Sequence, residues 1–119
     1  MESYREFLEK CRREYKAYKS VYSPALEEVV IFNSKGFNHL LSKEKGIPRE
    51  RKEQKYKLSL LSFVTEVIRN AELNESNRKI KGIEYWSVVA NVGKAKIRVV
   101  LRKIGSKGKT HFWSVMRIK

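Results

Sequence analysis

The sequence predicts an α+β domain, with N-terminal helices packed on one face of a small, mainly antiparallel β-sheet and the other face left for a ligand. Three observations carry this reading. Residues 3–20 and 56–71 repeat apolar side chains at three- and four-residue spacing, as amphipathic helices do. The last third of the chain, 79–119, alternates instead on a period of two and is rich in Val, Ile, Trp and Phe, as half-buried strands are. At 119 residues and 41% hydrophobic content the chain can build one domain around one core, spanning 1–119, with an N-terminal helix in 1–22 and an α+β core in 28–119.

In order, 3–20 forms the first helix, with Tyr4, Phe7, Leu8, Cys11, Tyr15 and Tyr18 on its apolar stripe and Ser3 with Glu6 as a capping box. Tyr22-Ser23-Pro24 breaks it, since the residue before a proline avoids the helical region. The run 28–33 (EVVIFN) is too short for a helix and reads as a strand, and Ser34-Lys35-Gly36 turns the chain into a short helix over 37–43. Residues 44–55, dense in both signs of charge and holding a Gly and a Pro, read as a loop. A second long helix spans 56–71 through Leu60, Leu61, Val64, Val67, Ile68 and Ala71, and 72–78 is a polar connection. Strands follow at 83–92, 94–104 and 110–118, joined by a turn at Gly93 and by the Gly105-to-Gly108 loop. Period 2 puts Ile97, Val99 and Leu101 on a core face and Arg98, Val100 and Arg102 on the other. In the last strand it groups Phe112, Ser114, Met116 and Ile118 against His111, Trp113 and Arg117.

The formal net charge is +14, and it is unevenly placed. Residues 78–119 hold twelve Lys/Arg against Glu84 alone, whereas residues 1–77 hold fifteen against twelve Glu. A basic field concentrated on the sheet attracts polyanions, nucleic acid first and an acidic membrane second. No apolar run reaches the roughly 20 residues of a membrane span, and the charged N-terminus has no secretory h-region. Cys11, alone and on a helix's apolar face, reads as a buried structural thiol. The chain contains no aspartate, so the clustered carboxylates that hold Mg²⁺ in phosphoryl-transfer sites are not expected. One Cys and two His do not make a zinc site of the usual spacing. No metal and no cofactor is expected.

RNA can be cut without metal when its own 2′-OH attacks the phosphate. Histidine suits the two proton transfers and Arg or Lys the charge building on phosphorus. The chain's two histidines, His39 and His111, therefore stand out together with Arg98. Ser114 can hydrogen-bond a phosphate oxygen. Trp86 and Trp113 can stack bases, and Lys35, Lys96, Arg102 and Lys109 can contact nucleic acid around the site.

The stretches VIFNSKGFNHLL and KIRVVLRKIGSKGKTHFWSVM resemble the barnase–EndoU–colicin–RelE group of nucleases, in particular its phage- and mobile-element-associated branch. His39, Arg98, His111 and Ser114 fall on its motif positions, and the likeness covers about 28–119, with the first helix as an addition. The resemblance implies a metal-independent, toxin- or effector-like endoribonuclease acting in the cytoplasm on tRNA or another RNA and paired with an inhibitor or immunity protein. Two histidines and Arg98 on a basic, acid-poor sheet then suggest transesterification to a 2′,3′-cyclic phosphate, with His39 and His111 as the base/acid pair in either order, Arg98 on the phosphate and Ser114 orienting it. Two other readings use the same basic sheet: a non-catalytic RNA- or DNA-binding module, and a structural protein docking an acidic partner.

Overall fold

The computed structural model describes residues 2–43, 46–71, 74–105 and 107–118, with the backbone alone for 74–76. Among the described residues, four α-helices, a short 3-10 helix and a six-stranded mixed sheet make an α+β fold. The elements are α1 (Tyr4–Tyr18), β1 (Ser20–Ser23), β2 (Glu28–Ile31), α2 (Ser34–Leu41), α3 (Arg51–Ser59), α4 (Val64–Asn70), β3 (Asn74–Ile80), β4 (Ile83–Val92), β5 (Ala95–Ile104) and β6 (His111–Ile118). The strand order is β1-β2-β6-β5-β4-β3. All neighbours are antiparallel except β2 and β6, which run parallel and meet at a single register position, Ile31 opposite His111. No helix among the described residues is long and apolar enough to cross a membrane.

The core lies on one face of the sheet. Ile97, Val99 and Leu101 of β5 and Val88 of β4 meet α4 through Val64, Val67 and Ile68, all fully buried. The helix α1 closes the same core with Cys11 and with Tyr15, whose ring meets Phe32, Phe37 and Phe112. Ser3 caps α1, accepting from the Glu6 amide at 3.1 Å as the capping box predicts, but the Glu6 carboxylate accepts from the Ser3 hydroxyl at 3.2 Å rather than from its backbone N–H.

The structure departs from the sequence reading at several boundaries. The segment after α1 is a strand, not only a break: Lys19, at φ 52°, ends the helix in one residue and Ser20–Ser23 pairs with β2 as a hairpin. The strand expected over 28–33 stops at Ile31, because Asn33 caps α2 by accepting from the Gly36 amide at 3.3 Å, so α2 starts at Ser34. Part of the 44–55 loop is helical, α3 beginning at Arg51, while Glu44 and Lys45 lie outside the described residues. The helix expected over 56–71 is two helices joined by a 3-10 turn at Leu61–Phe63. The Ser59 hydroxyl there donates to the Tyr56 carbonyl at 2.6 Å, taking an acceptor the helix would use. The polar connection at 72–78 is largely β3, bound to β4 by a two-residue turn in which Lys81 and Gly82 both have positive φ. Glu72 and Leu73, like Ser106 of the β5–β6 loop, lie outside the described residues.

The largest correction concerns faces. A β-bulge in β6 gives the pairings Val100–Ser114 and Leu101–Phe112, so Trp113 is an extra residue. Phe112 and Val115 thus both face the core, and Ser114 and Met116 join His111 on the face of Arg98, Val100 and Arg102. The period-2 grouping of Phe112 with Ser114 and Met116 does not hold across this inserted residue.

Beyond Ile31 no described strand pairs with the outer edge of β6, and α3 seals it. Lys57 Nζ donates to the Val115 carbonyl at 3.2 Å, and the Arg117 amide donates to the Tyr56 hydroxyl at 2.9 Å.

Gly36 fixes how closely α2 lies on β6. A Cβ there would stand 2.8 Å from the Tyr15 hydroxyl and 2.9 Å from Phe112 Cδ2, and would overlap the Phe112 carbonyl oxygen, which as backbone cannot swing aside. Gly36→Ala should therefore lower stability by about 1–3 kcal/mol, the usual cost of overpacking, read as a reduced denaturant midpoint. A midpoint equal to that of the parent would show that α2 is free to lift from β6.

Candidate nucleic-acid interface

Helix α2 has two faces. Gly36, Phe37 and Leu40 are buried against α1 and the core, and Lys35, Asn38, His39 and Ser42, spaced i, i+3, i+4 and i+7, share the opposite side. That side forms one wall of a cavity of about 630 Å³. The facing wall comes from the sheet: Ile83 and Tyr85 of β4, Arg102 of β5 and Trp113 of β6, with Lys43 and Gly46 closing one end. Register brings these together, since Tyr85 pairs with Arg102 and Arg102 with His111.

Trp113 is the centre of the assembly. The His39 ring stacks on it at 3.9 Å and 19°, and the Arg102 guanidinium carbon sits 3.3 Å from its centroid. Two planar groups this near one centroid must lie on opposite faces, so the indole is held between them. Cation–π attraction to the indole favours the arginine on its side. Arg102 is 8% exposed, and its Nε donates to His111 Nε2 at 2.9 Å. Among the described residues no carboxylate pairs with Arg102, and none lines the cavity. A buried cation that no described carboxylate pairs with, open to a cavity rimmed by Lys35 and Lys43, favours an anion in that cavity by electrostatics.

The two imidazoles stay neutral within this field. His39 is pushed down to about 4, first by burial and then by Arg49, Lys57 and Arg102. His111 is also held below its ordinary value, by burial and by Arg102 and Lys35, against an opposing bond to the Lys109 carbonyl. His111 accepts from Arg102 through Nε2, so its proton sits on Nδ1, which faces the Lys109 carbonyl oxygen at 3.5 Å. His39 is held similarly: Arg49 Nη2 lies 3.4 Å from its Nε2, Arg49 Nε donates to its carbonyl at 3.1 Å, and Glu53 holds Arg49 at 2.7 Å.

The structure brings together some of the sequence candidates and separates others. His39, Lys35, Arg102 and Trp113 line the cavity. His111 stands behind Arg102, 4% exposed, and reaches the cavity only through it. Ser114 is buried and receives Lys57 Nζ at 3.2 Å. Arg98 shares the face of Arg102 but lies four residues, about 13 Å, along β5, and its buried Nε has no partner. Lys96 is exposed two residues further on, and Lys109 is exposed beside the β2–β6 cleft. Trp86 pairs with Leu101 and so belongs to the core side of β4. Trp113 lines the cavity but, with both faces covered, offers no free ring face to a base; Tyr85 is the other aromatic that lines it.

Four contributors escape the sequence reading. Tyr85 needed the β4–β5 register. Arg49 sat in the charged stretch read as a loop, and Lys57 at the start of the helix expected over 56–71. Asn38 carried a usable signal, standing beside His39 on the face opposite Phe37 and Leu40. Among the described residues no three His, Cys, Asp or Glu side chains cluster as metal ligands.

A family model described as large polyvalent protein-associated domain 3 matches residues 2–112. No curated protein and no solved structure matches the chain.

The neutral imidazoles set a pH dependence of stability. The unfolded chain protonates histidine near pH 6.5, whereas the folded chain resists until about pH 4 at His39. In that window the unfolded state binds more protons, so stability is full above it and falls as pH falls through it. Thermal melts between pH 7.5 and 4 should show a declining Tm, and His39→Gln should shrink the decline. An identical slope in the variant would mean that His39 titrates normally in the folded protein.

Proposed function

The chain belongs to the large polyvalent protein-associated domain 3 family, and from that premise we propose that it is the RNA-cleaving domain of a toxin- or effector-like protein, a metal-independent endoribonuclease whose active site is the cavity between α2 and the sheet. The observation that carries this is Arg102, a buried arginine that no carboxylate among the described residues pairs with, open to a cavity that also holds His39 and Lys35. The likeness of 28–119 to the barnase–EndoU–colicin–RelE nucleases supports the same reading.

In this mechanism Arg102 grips two non-bridging oxygens of the scissile phosphate. His111, by accepting from Nε, aims the guanidinium fork and is a positioning residue. His39 takes the 2′-OH proton, the 2′-oxygen attacks phosphorus, and the bond to the 5′-oxygen breaks. Lys35, one helical turn before His39 on the same face of α2, gives the leaving oxygen its proton. The products are a 2′,3′-cyclic phosphate and a 5′-hydroxyl. To act as the base, His39 gives up the 3.4 Å contact with Arg49, which is at the long end for a hydrogen bond. The role assigned to Arg98 at the sequence level passes to Arg102, and that assigned to Ser114 is not used.

A second reading, a non-catalytic RNA-binding module, draws support from one observation: each imidazole already has an arginine on its acceptor nitrogen. One experiment separates the two. Purified protein is incubated with total tRNA in EDTA and run on a denaturing gel beside a native gel. Cleavage is expected, reduced roughly 10²–10⁴-fold by His39→Ala and about 10²–10³-fold by Arg102→Ala. The rate should hold as pH falls through 6.5 and drop only near 4, where His39 protonates. RNA that shifts on the native gel uncut would hand the site to the binding module.

A further inference from the structure

A second cleft, of about 250 Å³, opens on the other side of α2, between that helix and the C-terminal half of α1. Its floor is aromatic, made by Tyr15, Phe32 and Phe37, and its rim carries Arg12, Lys16 and Lys19. Among the described residues no carboxylate lines it. Arg12 lies over the Phe37 ring at 4.9 Å, so its charge is set directly above that floor. Asn38 lines both this cleft and the larger cavity, so the two meet across one polar side chain on α2.

We infer that this cleft is a second nucleotide subsite, taking a nucleotide beyond the two that flank the scissile phosphate in the main cavity. The inference rests on the ribonuclease reading for the class of ligand. Tyr15 and Phe37 are almost fully buried, so Phe32 is the ring this cleft leaves open; a base on Phe32 with its phosphate at Arg12, Lys16 and Lys19 matches a nucleotide. The path also selects single strands. To reach both sites the ligand must bend over α2 at Asn38, which an extended strand can do and a duplex cannot. Length-dependent recognition follows: a dinucleotide fills the larger cavity, and only a longer strand crosses α2 to reach the lysines.

The test uses fluorescein-labelled 2′-O-methyl oligouridylates, which cannot undergo transesterification, so binding is measured apart from cleavage. The variant is Lys16→Ala with Lys19→Gly. Lys19 stands at φ 52°, where glycine is unstrained, so that change removes charge without opposing the backbone. The wild-type chain should bind a hexanucleotide more tightly than a dinucleotide. The double variant should bind the dinucleotide equally well and the hexanucleotide about tenfold more weakly, with an unchanged melting temperature. Arg12→Gln serves as an independent variant with the same expected split if the first folds poorly. Equal weakening of both oligonucleotides would reduce the lysines to a general field and overturn the subsite, and so would no weakening of either. Wild-type binding to both lengths with no gain from length would sink the subsite and leave the main site standing; no binding of either would remove both. Loss of polyglutamate binding in the variant, with RNA binding intact, would assign the cleft to an acidic protein partner instead.

Discussion

The inserted residue in β6 is the constraint on which the site depends. Without it the strand would keep strict alternation, and a residue could face the core or the arginine side but not stand between. The bulge lets Phe112 and Val115 both enter the core while His111 pairs with Arg102 on the opposite side. Trp113, left without a ladder partner, turns toward α2 and becomes the surface on which His39 and Arg102 are stacked. One extra residue thus couples a helix side chain to a sheet side chain that would otherwise share no contact surface.

The electrostatics follow from that packing. Arg102, Arg49, Lys57 and Lys35 act on a small volume in which, among the described residues, Glu53 is the carboxylate paired nearby, with Arg49. Such a cluster is tolerable because both imidazoles stay uncharged and accept hydrogen bonds from the arginines. The same arrangement leaves the guanidinium of Arg102 short of negative charge, a deficit that an incoming anion offsets. The groups that set the pH dependence of stability therefore also set the charge of the cavity.

Much of this was legible from residue order. The α+β class, the three long C-terminal strands and the burial of Leu60, Leu61, Val64, Val67, Ile68 and Ala71 followed from periodicity, which local chain geometry dictates. The sequence also marked His39, Lys35, Arg102 and Trp113 as candidates that the fold then assembled. What escaped depends on register or on competition between local bonds. A bulge is a choice between pairings that differ by one residue, and alternation alone cannot report it. Arg98 and Arg102 look equivalent in KIRVVLRKI, and only the pairing of β5 with β6 places the second at the cavity. The strands β1 and β3 are short or polar, so their pairing rests on neighbours rather than on composition. The split of the helix after Ser59 rests on a side-chain bond invisible to periodicity.

The helical seal on β6 bears on how the domain behaves in a crowd. A six-stranded open sheet invites aggregation wherever a long, neutral edge is left bare. Here β6, deep in the strand order but abandoned by β2 after one position, would be such an edge, and Tyr56 and Lys57 occupy its backbone groups. The outermost strands are guarded by other means: β1 is four residues long, and β3 carries the exposed cations Arg78 and Lys79. Copies of the domain thus find little exposed strand backbone on which to grow a shared sheet.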